Sequence, residues 1–234
     1  MKKIILISLL LFISMSYAQE KKISVDYIVE YLIPNKRQAT IDTVKIGLDK
    51  SGRYIWTDSE YLAKDLAKSM FSGKENMMKN SELAIILDTK NMSVMLFFNS
   101  GENEMYMNMS LYNFFPVSGS SDAESFELIS ENTNEKVSVA DREGIVYNIY
   151  PSNETSEKIA VVFDESIDVN NNKLFNNFFK LVFAAEGGSV LNDLELPNGL
   201  ILNISNKGET FVEAIKIQTE RKTFTINHSF KITE

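Results

Sequence analysis

The chain has 234 residues, with 32 acidic against 24 basic side chains, a formal net charge of −8, a single histidine and no cysteine. Nucleic acid and anionic lipid head groups are held through clustered Lys and Arg, so this balance argues against both as direct partners. With His228 alone and no thiol, Ser/His and Cys/His triads and the common zinc sites lack their residues, so the chain reads as non-enzymatic and without a cofactor.

Lys2 and Lys3, the apolar run Ile4 to Ile13, and Ser16-Tyr17-Ala18 make the basic, apolar, small-x-small series of a cleavable secretory signal over residues 1–18. The apolar run is too short for a permanent membrane-spanning helix. The mature chain would therefore begin at Gln19 with no transmembrane segment, and losing the two leader lysines takes its charge from −8 to −10. A periplasmic or secreted protein of the cell envelope follows, with no cysteine to carry a lipid anchor. Residues 19–234 fit one domain, long enough to bury roughly 70% of its unfolded surface.

Ser24 to Ile33 alternates as a half-buried strand, with Val25, Tyr27, Val29, Tyr31 and Ile33 on one face, and Pro34-Asn35 ends it. Ile41 to Leu48 and Tyr54 to Thr57 form a hairpin about the turn Asp49 to Gly52. A helix comes next: Thr57 and Glu60 have capping-box spacing, Leu62, Leu66 and Met70 recur every four residues, and Gly73 sits where a left-handed cap belongs. Its only moderately wide apolar stripe predicts that it lies over an edge or mouth of the sheet.

Ser81 to Tyr112 predicts two successive hairpins. Turns at Thr89-Lys90 and Gly101-Glu102 would pair Leu87 with Met92, Ile85 with Val94 and Leu83 with Leu96, then Phe98 with Met105, Leu96 with Met107 and Val94 with Met109. Strand alternation then gathers Leu83, Ile85, Leu87, Met92, Val94, Leu96, Phe98, Met105, Met107, Met109 and Leu111 on one wall. The other face, with Ser93, Met95, Phe97, Glu104, Tyr106, Asn108 and Ser110, is mixed and expected to be partly wet.

Phe114 to Ser125 reads as a connection, followed by strands at Ser125 to Ser130, Lys136 to Val139, Gly144 to Tyr150 and Ile159 to Asp164. Asp168-x-Asn170-x-Asn172 imitates the start of a calcium loop, but Lys173 and Phe179 stand where glycine and a bidentate glutamate are required. The cluster reads instead as a turn whose Asx side chains cap a helix, with no metal. That helix, Asn170 to Gly188, carries Leu174, Phe175, Phe178, Phe179, Leu181, Val182 and Phe183 around most of its girth, the pattern of a helix covering an apolar surface. A meander of Val190 to Leu196, Leu200 to Ser205, Thr210 to Gln218 and Lys222 to Lys231 completes roughly eleven strands and two helices, far more sheet than an average domain.

Ten methionines are present, and Met105, Met107 and Met109 alternate on one strand. Flexible, polarizable thioethers suit a surface that accepts varied apolar shapes, and they also fill irregular core gaps. A curved sheet lined this way beneath a Phe-rich helix either packs solid or leaves a pocket for an acyl chain. The candidate lining is Leu83, Ile85, Leu87, Met92, Val94, Leu96, Phe98, Met105, Met107, Met109, Phe178 and Phe179.

The order of these elements, with the Leu83 to Leu87 and Val94 to Phe98 hairpin, the strand Gly144 to Tyr150 and Leu196-Pro197-Asn198-Gly199-Leu200-Ile201-Leu202, resembles bacterial LolA-like proteins, especially their exported branches. The resemblance implies a mainly β fold, an unclosed barrel of curved antiparallel sheet with helices plugging its concave side. It also implies a hydrophobic cavity and, in the best-known members, carriage of lipoprotein acyl chains across the periplasm. No carrier's functional residue maps onto a position here. The expectation is a lipid-like ligand held on the concave face; the rival is a solid-cored scaffold whose partner is an envelope protein.

Overall fold

The computed structural model describes residues 21–35, 39–59, 62–64, 66, 82–100, 103–115, 124–185 and 189–226. The protein is mainly β. The strands are β1 (Lys21–Val25), β2 (Tyr27–Asn35), β3 (Thr40–Leu48), β4 (Tyr54–Thr57), β5 (Glu82–Asp88), β6 (Ser93–Ser100) and β7 (Asn103–Ser110). They continue with β8 (Glu124–Val139), β9 (Arg142–Pro151), β10 (Ile159–Asp164), β11 (Ser189–Leu194), β12 (Leu200–Asn206), β13 (Glu209–Gln218) and β14 (Lys222–Ile226). One helix, α1, covers Asn171–Ala185, and residues 62–64 and 66 are helical in the stretch where the first helix was expected. Among the described residues no helix is long and apolar enough to cross a membrane.

Twelve strands form one open sheet in the order β11-β8-β9-β10-β12-β13-β2-β3-β4-β5-β6-β7, and β1 pairs with β14 in a separate two-stranded ribbon. All neighbours in the large sheet are antiparallel except β11 and β8, which run parallel. The expected closing meander therefore holds only for β12 and β13. Sequence adjacency did not decide the rest, because β13 pairs with β2 and β14 with β1, joining the two ends of the chain.

Three local corrections have identifiable causes. The first strand breaks at Asp26, whose N–H donates to Leu48 O (2.8 Å) and whose carboxylate accepts from Lys50 N (3.1 Å), so Val25 leaves the face shared by Tyr27, Val29 and Tyr31. The expected strands at 125–130 and 136–139 are one strand, β8, with a register shift between Asn132 and Lys136. In the first helix Ser59, not Thr57, caps: its Oγ accepts from Leu62 N at 3.4 Å. Leu62 is exposed and Ala63 is buried in its place, while Leu66 of the expected stripe packs half-buried on the β5–β7 cluster; Met70 and Gly73 lie outside the described residues, as does His228.

α1 is where the packing converges. Leu174, fully buried, joins the central cluster of Val29, Tyr31, Val146, Leu200 and Leu202; Leu181 and Phe178 pack on β5 to β7; Phe175, Phe179 and Phe183 pack with Phe126, Leu191 and Leu194 at the other end of the sheet. Asparagines seat its start. Asn170 Oδ1 accepts from Lys173 N (3.0 Å), Asn171 Nδ2 donates to the carbonyls of Pro197 and Gly199 (2.7 and 2.9 Å), and Asn172 bonds both N and O of Leu196. The Asx residues thus act as caps and anchors, and the Leu196–Leu202 element is the loop they grip. Gly52, at φ 74°, brings the β3–β4 turn against Asn170 O, where a Cβ would stand 2.5 Å away.

Truncating a fully enclosed leucine leaves a cavity at the point where the central strands meet the helix. Leu174→Ala should lower unfolding free energy by about 3 kcal/mol, while Lys173→Ala on the exposed side changes it little; urea unfolding of both variants at matched m-value checks this.

Candidate ligand-binding face

The second hairpin has the expected register: Phe98 faces Met105, Leu96 faces Met107 and Val94 faces Met109. The first is displaced by two residues, so that Leu87 faces Val94, Ile85 faces Leu96 and Leu83 faces Phe98. The cause is the turn. Asp88 accepts from Asn91 N (3.1 Å) and Nδ2 (2.8 Å), Thr89 Oγ1 donates to the carbonyls of Gly52 and Arg53, and Met92 takes φ 47°, so the connection spans 89–92 rather than two residues. A shift of two preserves side-chain parity, so the wall keeps its face.

Leu83, Ile85, Met92, Val94, Leu96 and Leu111 are buried in one cluster with Ala63 and with Leu181 of α1. Leu87, Met107, Met109, Phe114, Phe115 and Phe178 pack around it and remain only half-buried. Phe178 meets Phe115 edge-on at 6.3 Å and lies 6.1 Å from the tilted ring of Phe179; Phe179 lies 6.2 Å from Phe183, which meets Phe126 edge-on at 4.9 Å. Of the expected lining, nine residues thus share one cluster, and Phe179 links it to the next. Phe98 and Met105 are register partners whose side chains lie outside what is described.

The reverse face is partly wet, as expected, with Asn108 exposed and Ser93 and Ser110 half-buried, but its middle is closed off from solvent. Met95 and Ile86 are fully buried, with Phe97 and Tyr106 beside them, because the β1–β14 ribbon lies over Trp56 and supplies Ile23, Val25 and Phe224. Trp56 stacks on Phe224 at 5.1 Å, and Lys222 Nζ sits about as close to both rings, at 4.9 and 5.0 Å. The mixed sequence of β7 conceals this, since the covering residues come from the two chain ends.

Chemically the inner face offers thioethers, methyls and phenyl rings, a surface suited to an apolar chain and not to proton transfer. Among the described residues no group of three or more His, Asp or Glu side chains could hold a metal ion. The turn anchor Asp88, at the end of β5, is 1% exposed and paired with Arg53 Nη2 at 3.1 Å. Burial pushes its carboxyl up, but the Arg53 hydrogen bond, the Asn91 amide and the guanidinium charge prevail and hold it below the ordinary carboxylate range.

No protein-family model matches the chain and no curated protein matches it in sequence. Two solved structures of PNGF-II, in its P21 and C2 space groups, overlay on 82% of this chain with 12% identity and a TM-score of 0.35. The chain spans 28% and 27% of the length of those chains. A likeness at this level carries no argument about fold or activity.

Because the folded pKa of Asp88 lies below its unfolded value, the stabilisation is whole above about pH 4 and disappears as pH falls through the folded pKa. Melting temperatures measured from pH 7 down to 3 should fall more steeply in the wild type than in Asp88→Asn, which is already weakened at neutral pH.

Proposed function

We propose that this is an exported, non-enzymatic binding protein of LolA-like type that holds the acyl chain of a lipid or lipoprotein between α1 and the inner face of β5 to β7. The observation that carries the reading is the graded burial there. A solid centre of Leu83, Ile85, Val94 and Leu96 is bordered by half-buried Leu87, Met107, Met109, Phe115 and Phe178, all apolar and several conformationally adaptable. Half-buried thioethers and rings can turn to line an apolar guest, whose transfer from water is worth about 25 cal/mol per Å² of apolar surface covered. The leader-like residues 1–18 support export, and a lone histidine with no cysteine supports a role in binding over catalysis.

The protein, delipidated and titrated with an environment-sensitive fluorescent fatty acid, should show saturable enhancement. Met107→Asp, which places a charge in the lining, should weaken that binding at least about tenfold while a surface change such as Lys158→Gln leaves it intact. Absence of saturable binding in folded wild-type protein would sink the reading and favour an envelope scaffold with a solid core.

A further inference from the structure

A concavity of about 370 Å³ lies away from the apolar wall, where the β8–β9 turn meets the end of β10. Its lining is Asp141, Arg142, Glu143, Ile145, Phe163, Asp164, Glu165 and Ser166. Four carboxylates therefore share the cleft with one guanidinium.

Asp164 is the floor, only 2% exposed. Its Oδ1 accepts from the N–H of Ser166 (2.9 Å) and from Ser166 Oγ (2.5 Å). Its Oδ2 is buried without a hydrogen bond and has only an ionic contact at 3.6 Å with Arg142 Nη1, a side chain itself partly exposed. A carboxylate oxygen taken out of water with so long a contact is under-compensated. Around it, Glu143 is paired with Lys136 at 2.7 Å, Glu165 accepts from the Tyr147 hydroxyl at 2.6 Å, and Asp141 has no ion-pair partner among the described residues. Even after Lys136 is counted, negative charge exceeds positive in the cleft by two. Ile145 and the fully buried Phe163, against which Tyr147 packs edge-on at 5.6 Å, give the depression an apolar back wall.

This combination has a chemical preference. A cleft with a low-dielectric wall concentrates the field of the charges that line it. Arg142 shows which group the floor accepts, a monovalent organic cation with several N–H donors. Its own reach leaves Asp164 Oδ2 incompletely met, and Asp141 and Glu165 have no cationic partner among the described residues. A divalent metal would need several carboxylate oxygens converging on one point, and no such group is present among the described residues. We infer that the cleft between the β8–β9 turn and the end of β10 binds a small organic cation, an alkylammonium or alkylguanidinium head, against Asp141, Asp164 and Glu165.

The test is NMR titration of the full mature protein with butylguanidinium and butylammonium, and with neutral butylurea as the shape-matched control. Saturable shifts confined to residues 141–147 and 163–166, given by both cations, not by the urea, and weakened by added salt, are expected. Asp141→Asn and Glu165→Gln, at exposed positions whose change leaves the fold intact, should each weaken binding about fivefold; Asp164→Asn should abolish it. Non-saturating shifts spread over the acidic surface would overturn the inference. So would equal binding of butylurea, undiminished binding in Asp141→Asn and Glu165→Gln, or saturation of the cleft by calcium without response to either organic cation.

Discussion

The structure depends on one helix filling the gap left by a sheet that does not close. Twelve strands run from β11 to β7 without pairing at their ends, and an unclosed sheet has two liabilities: free edges and an inner face with nothing to pack on. α1 meets the second. Leu174 enters the middle of the sheet, Leu181 and Phe178 the β5–β7 end, and Phe175, Phe179 and Phe183 the β8–β11 end, so one helix ties three apolar clusters together. A helix of this kind has apolar residues around most of its circumference because it has partners on most sides. Its start is held by side-chain amides gripping loop carbonyls, with no acidic residue in its first turn.

The second constraint is the ribbon made from both ends of the chain. Among the described residues β1 pairs with β14, and their inner residues cover the reverse face of β4 to β6 at Trp56, Ile86 and Met95. The β5–β7 hairpins are therefore covered on both faces, by helix on one and ribbon on the other. That arrangement holds the Met- and Phe-lined wall in place from behind and leaves any adaptability to its half-buried border. This is why the functional reading rests on Leu87, Met107, Met109, Phe115 and Phe178 and not on the rigid centre.

Much of this was legible in the sequence where one chain segment carries its own signal. Period-two alternation located β2, β6 and β7, the turn Asp49 to Gly52 located β3 and β4, a short β-branched apolar run located β10, the register of β6 with β7 followed from the Gly101-Glu102 turn, and the girdle of α1 announced a covering helix. The failures share a cause: each turns on a partner remote in sequence or on side-chain chemistry in a turn. Asp88, Thr89 and Asn91 lengthened the first hairpin's connection, Asp26 redirected Val25, and the burial of Met95 depends on Ile23 and Phe224. The cleft floored by Asp164 was equally hidden, because its carboxylates come from two separate turns brought together by the β9–β10 pairing.

The central claim is that the border between α1 and β5–β7 takes an acyl chain. Native mass spectrometry of the mature protein, purified from an envelope fraction without detergent extraction of lipid, addresses it most directly. The account predicts adducts with the masses of acyl-bearing molecules on the wild type and their loss from Met107→Asp. A folded wild-type protein that carries only its polypeptide mass, in material where an authentic lipid carrier treated alongside retains its cargo, would contradict it.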